Sequence, residues 1–130
     1  MDPAAEGITY PDLRFTVDPD RVAAFARVVG QDAPGVPPTF LTAAEFTVIP
    51  QVVGDPRLAM DFTRVVHGTQ EYMLERPLHV GETLVLSPSL ESVRVRAGTG
   101  FLTIRVDVCD EAGAPVATAR AMMIERGPDA

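Results

Sequence analysis

At 130 residues, with 46% apolar and 22% charged residues, the chain has the material for one hydrophobic core and reads as a single domain over residues 1–130. Its net charge of −7 and its lack of a basic cluster, all 11 basic residues being Arg, argue against nucleic acid or an anionic membrane as partner. No apolar run approaches the roughly 18 residues of a membrane span, and no basic-then-apolar leader opens the chain, so a cytoplasmic location is the default expectation.

Residues 1–7, MDPAAEG, have the composition of a flexible terminus. ITYPDLRFTV follows as an edge strand with Leu13, Phe15 and Val17 inward, Pro11 suiting only an edge or a strand start. DPDRVAAFARVVG carries helix signals at both ends: Asp18 as N-cap, Pro19 in the first turn and Gly30 as the stop. Val22, Phe25, Ala26 and Val29 share its apolar face. After the short connection QDAPGVP comes PTFLTAAEFTVIPQVV, Pro38–Val53, a helix apolar nearly all round that the rest of the domain must enclose. Pro50 removes a backbone donor late in this helix and should end or kink it near Ile49.

Four strand-like segments complete the chain. MDFTRVVHGTQEYMLERP reads as one long strand or as two joined at a bulge near Gly68, with Val66, Tyr72 and Leu74 facing the helix. LHVGET is a turn, and in ETLVLSPSLESVRVRAG the apolar parity changes between Leu90 and Val93, which predicts a bulge or break. GFLTIRVDVCD and PVATARAMMIER follow through the turns AGTG and DEAG, making the last three strands an antiparallel meander. Ile104, Val106 and Val108 form one face of their strand, leaving Cys109 with Arg105 and Asp107 on the other as an inert thiol. One Cys and two His do not make a metal site, and His79 falls in a solvated turn. The fold class is therefore α+β, an antiparallel sheet wrapped around one long central helix.

That arrangement is the hot-dog fold, and the ordered motifs VPPTFLTAAEF, RVVHGTQEYMLERPLHVGETL and DEAGAPVATARAMMIER, spanning about Phe15 to Arg126, carry a resemblance. They resemble the MaoC-like hydratase/dehydratase family, in particular its N-terminal-type or non-catalytic-subunit branch. The resemblance implies a homodimer or heterodimer of hot dogs with sheets joined edge to edge and acyl-thioester tunnels at the interface. It further implies addition or removal of water on a CoA or acyl-carrier-protein (ACP) thioester, in fatty acid or polyketide metabolism and without a cofactor.

Dehydrating a 3-hydroxyacyl thioester needs a base for the C2 proton, an acid for the departing hydroxyl and donors for the thioester oxygen. Hydratases of this family use an Asp and a His five residues later, in a run such as Asp-x-Asn-Pro-x-His. The corresponding run here is DAPGVP: Asp32 is kept, but the His position is Pro37, and the segment that separates this motif from the central helix is missing. The second hot-dog arrangement, resembling bacterial β-hydroxyacyl-ACP dehydratases, uses a His ahead of the helix and a Glu within it. Glu45 is the only acid in the helix, about one helical step from the matching position.

His67, two residues before Thr69 and four before Glu71 on one strand face, is the remaining candidate acid or base. A non-standard pair of His67 with Asp32 or Glu45 is thus one expectation, with Phe40, Phe46, Gly68 and Tyr72 as candidate substrate-binding residues, Gly68 by letting a ligand approach the backbone. Tyr72 is placed on the face opposite His67 and reads more as core than as chemistry. A dehydratase component, a non-catalytic acyl-binding or scaffold protein, and an acyl thioesterase using Glu45 all stay open. Arg94, Arg96 and Arg105 on neighbouring strands could form a local patch for an acidic carrier.

Overall fold

The computed structural model describes residues 1–128. Its sheet has five antiparallel strands, β1 (Leu13–Thr16), β2 (Val65–Leu74), β3 (Thr83–Arg96), β4 (Thr99–Asp110) and β5 (Pro115–Glu125), in the order β1-β3-β4-β5-β2. As expected, β3, β4 and β5 form a meander, with β1 added at one edge and β2 at the other. Along β3 and β4 the buried residues alternate: Leu84, Leu86 and Leu90 on the first, Leu102, Ile104, Val106 and Val108 on the second. The expected parity change in β3 is a bulge between Leu90 and Ser92, after which Val93 returns to the core face. Cys109 is half-buried and free, and Arg105 pairs with Asp107 at 3.0 Å.

Helix α1 (Pro19–Val29) begins at Asp18, whose carboxylate accepts from the Arg21 N–H at 3.0 Å, and stops at Gly30 with φ 75°. Its apolar face is shorter than expected: Val22 is buried and Phe25 and Ala26 half-buried, but Val29 is exposed because the helix end projects past the core.

The expected central helix spans Pro38–Val53, but in pieces: a 3-10 turn at Pro38–Phe40, α2 (Leu41–Glu45), a turn at Phe46–Val48, and α3 (Ile49–Val53). Pro50 explains the break, since it has no N–H to offer the Phe46 carbonyl and its ring crowds that carbonyl, so the chain turns before Pro50 and restarts with Pro50 in a first turn. Phe40, Leu41, Ala44, Val48 and Val52 are buried, whereas Phe46 is 57% exposed, so the segment is not enclosed all round.

Two further segments differ from their sequence pattern. Residues 1–7 carry contacts that composition did not announce: a 3-10 turn at Pro3–Ala5 buries Ala5, the Met1 amine reaches Glu125 at 3.0 Å, the Gly7 N–H bonds the Leu90 carbonyl at 2.8 Å, and Glu6 accepts from the Val93 N–H at 3.1 Å. The physical reason is the edge of β3 beyond β1, whose amide groups need partners that residues 6–10 supply. The strand expected from Met60 starts only at Val65, because Asp61 caps a 3-10 turn at Phe62–Arg64 by accepting from the Thr63 N–H.

The ERPLHVGE stretch shows why its residue types stand together. Arg76 donates to both Glu82 oxygens at 2.7 and 3.0 Å, the Glu82 carboxylate also takes the His79 N–H, Leu78 is buried, and Gly81 turns at φ 89°. The guanidinium of Arg76 holds the Glu82 carboxyl below its usual range. Among the described residues, no helix is long and apolar enough to cross a membrane.

Candidate functional site

The site is organised by the bulge in β2. Register against β5 shifts between His67 and Thr69, so inward-facing positions change from Val65 and His67 before the bulge to Gln70, Tyr72 and Leu74 after it. This corrects three expectations. Val66 is exposed and faces away from the helix, while Tyr72 and Leu74 face it as expected. His67 and Tyr72 lie on the same face, not on opposite ones. Glu71 points outward to Arg120, away from His67.

Gly68 is needed at the bulge for packing. A Cβ there would stand 3.1 Å from Ile124 Cδ1 and 3.3 Å from the Met122 carbonyl oxygen, so β5 occupies the space left by its missing side chain.

Glu45, at the end of α2, is 2% exposed. Its carboxylate accepts from Gln70 Nε2 at 2.9 Å and from the Tyr72 hydroxyl at 3.4 Å, and that hydroxyl shares a 2.6 Å hydrogen bond with Thr42, one helical turn before Glu45. Burial pushes the Glu45 carboxyl above its ordinary range, opposed by the Gln70 and Tyr72 hydrogen bonds and by His67. Burial likewise pushes the Tyr72 hydroxyl up to about 12. Gln70 is tied down by a second bond to the Arg120 carbonyl at 3.1 Å. Composition gave no reason to single out Thr42 or Gln70; only the bulge and the pairing of helix on strand bring them together.

Beside this network, a cleft of about 350 Å³ is lined by Phe46, Ile49, Pro50, Phe62, Val65, His67 and Met123. That size is at the lower end for small-molecule sites. The helix break at Phe46–Val48 leaves Phe46 exposed on its wall, with Phe62, 53% exposed, as another part of the lining. His67 is the imidazole of this lining, and its Nε2 lies 3.1 Å from the Thr69 carbonyl oxygen; as that oxygen can only accept, Nε2 donates the hydrogen.

Of the candidate pairs, His67 and Glu45 share a face but Glu45 does not line the cleft. Asp32 is exposed in the loop after α1 and, among the described residues, makes no side-chain hydrogen bond or ion pair, so it is not joined to His67. Phe40 is a core residue, packed on Phe15 and Phe25 with ring centroids 6.1 and 5.5 Å away. Among the described residues, no group of three or more His, Cys, Asp or Glu is placed to hold a metal ion. The arrangement can therefore receive an apolar chain against one imidazole, with a buried carboxyl network stiffening the wall behind it.

The model of a family described as "FAS1-like, dehydratase domain region" matches residues 5–119. A UPF0336 protein of Streptomyces coelicolor is 32% identical over 146 aligned residues, covering 99% of this chain and 97% of its own. Among solved structures, the C-terminally truncated HadBC (3R-hydroxyacyl-ACP dehydratase) complex of Mycobacterium tuberculosis superposes with a TM-score of 0.76 at 22% identity, over 92% of this chain and 96% of that one. A MaoC-like dehydratase reaches 0.80 at 19% identity, over 97% of this chain and 43% of that one. These likenesses show the hot-dog fold.

Proposed function

The chain belongs to the FAS1-like dehydratase-region family, and from that premise we propose that it is the substrate-binding subunit of a (3R)-hydroxyacyl-thioester dehydratase, completed by a second hot-dog subunit. The observation that carries this reading is the cleft at β2: apolar walls suited to an acyl chain, and one imidazole without the acid–base partner that the reaction requires. In the forward reaction the partner's base removes the C2 proton, the C2–C3 double bond forms as the C3–oxygen bond breaks, and the protonated hydroxyl leaves as water. This subunit contributes the wall that holds the chain. The HadBC structure is itself a complex of a 3R-hydroxyacyl-ACP dehydratase, which supports pairing as an available route for this fold.

Glu45 favours a second reading. A buried carboxyl held above its usual range beside His67 is a proton source, and a homodimer exposing it to the thioester would be active by itself.

Co-expression with a hot-dog subunit bearing an intact Asp-x-Asn-Pro-x-His run distinguishes them, with crotonyl-CoA and crotonyl-ACP hydration followed as loss of enoyl absorbance. The expected result is no turnover by the chain alone and turnover by the co-purified pair. Full turnover by the chain alone transfers the function to the second reading, and inactivity with every such partner rejects both.

A further inference from the structure

A second cleft, about 380 Å³, lies on the opposite face of the sheet, lined by Ser92, Arg94, Arg96, Phe101, Thr103 and Met122. The middle of that face is charge-balanced: Glu91 accepts from Arg120 at 3.0 Å and from Arg105 at 3.4 Å, and Arg105 also pairs with Asp107. This takes Arg105 out of the three-arginine patch expected from sequence. Arg94 and Arg96 are different, being exposed and, among the described residues, without an ion pair or side-chain hydrogen bond, in a chain whose net charge is −7. Register places Val66, Ile124, Phe101 and Arg94 in one row across four strands, so the two cations border an apolar strip.

We infer that this face docks an acidic amphipathic helix of the protein that carries the acyl thioester, with carboxylates on Arg94 and Arg96 and apolar side chains on Phe101 and Met122. Positions i and i+2 on one strand face stand roughly 7 Å apart, a separation that carboxylates one helical turn apart, roughly 5–6 Å between their Cβ atoms, can meet. A small free anion fits less well. The strand amides here are committed to the ladder, leaving no backbone nest to converge on a phosphate. Delivery is also compatible with the fold, since Met122 lines this cleft and the next residue, Met123, lines the acyl cleft on the other face, so both clefts lie at the same end of the sheet.

The inference rests on the thioester reading, and its test separates the two. The chain with its hot-dog partner is titrated with holo-acyl carrier protein by fluorescence anisotropy. Compared are the wild type, Arg94→Glu/Arg96→Glu, Arg94→Gln/Arg96→Gln, and the control Arg14→Gln, which breaks only the Arg14–Glu111 pair at the far edge. The expected result is roughly tenfold or greater weakening for the charge reversal, an intermediate loss for the Gln pair, weakening of the wild type by salt, and no change for the control. The same reversal should raise KM for carrier-bound substrate while CoA-thioester turnover persists. Wild-type carrier affinity in the reversal variant overturns the docking surface, as does an equal loss in the control. A fall in native mass on reversal also overturns it, by assigning the face to another copy of the chain. Carrier binding lost as expected, but with no thioester turnover by any pairing, counts against the proposed function alone.

Discussion

Glu45 occupies an environment that favours its neutral form, and this gives the residue a measurable signature. Its carboxyl is raised in the folded chain, chiefly by burial. As pH rises, the unfolded chain therefore gives up this proton first, and Glu45 makes folding progressively less favourable from the ordinary carboxylate range up through its own raised value. Glu45→Gln removes that penalty while retaining an acceptor for Tyr72 or Gln70. Relative to the wild type, the variant should gain stability with rising pH across that window in urea titrations, and a pH-independent difference would refute the assignment. The same variant addresses chemistry: if Glu45 only stiffens the wall, kcat of the co-purified pair stays within a few-fold of wild type, whereas a loss of roughly 10² or more makes it a proton donor. Residue types alone nominated Glu45 and His67, but no local pattern could say that Gln70 and Tyr72 would close over one and leave the other facing the cleft.

At the scale of elements, short-range signals suffice where they depend on backbone geometry. Asp18 and Gly30 bound α1, the bulges fall near Gly68 and at Leu90–Ser92, and Pro50 divides the central helix. The β3–β4 turn leaves room for improvement. Ala97 and Gly98 are its two central residues, with φ 51° and 79°, and Ala97 bears the steric cost of the left-handed region. Ala97→Asn should stabilise the chain by about 0.5–1 kcal/mol, since Asn tolerates that conformation. A thermal melt showing no gain would contradict the turn geometry. What local pattern missed was inwardness: a bulge reverses parity, so Val66, grouped with Tyr72 by even numbering, ends on the opposite face. Helical period likewise puts Val29 on the apolar face of α1, but period carries no information on where the core ends, and Val29 is exposed.

At the scale of the molecule, β2 is an edge strand of the five-stranded sheet, bonded through its length only to β5 and carrying Met73 at 56% exposure. This edge of ten residues holds no proline, and its one acidic side chain, Glu71, is drawn to Arg120 on the neighbouring strand, so its backbone edge is a surface open to pairing. Under the proposed function this edge joins the second subunit, bringing the partner's acid–base residues toward the acyl cleft. Met73→Lys should then reduce the mass of the co-purified pair to that of single subunits in native mass spectrometry, with the variant's own melt nearly unchanged because the side chain is exposed. An intact pair would place the interface elsewhere.

Fold class, meander, helix caps and kink were legible in the linear chain, because each depends on residues close in sequence or on a repeat of two or 3.6. The docked N-terminus, the Glu45 network, the cleft and the isolated arginine pair depended on contacts between distant segments, where burial and partner availability outweigh residue type. Glu45 shows the difference: its position in the sequence made it a candidate, but burial beneath β2, with Gln70 and Tyr72 closing over it from a distant part of the chain, sets its protonation and its access.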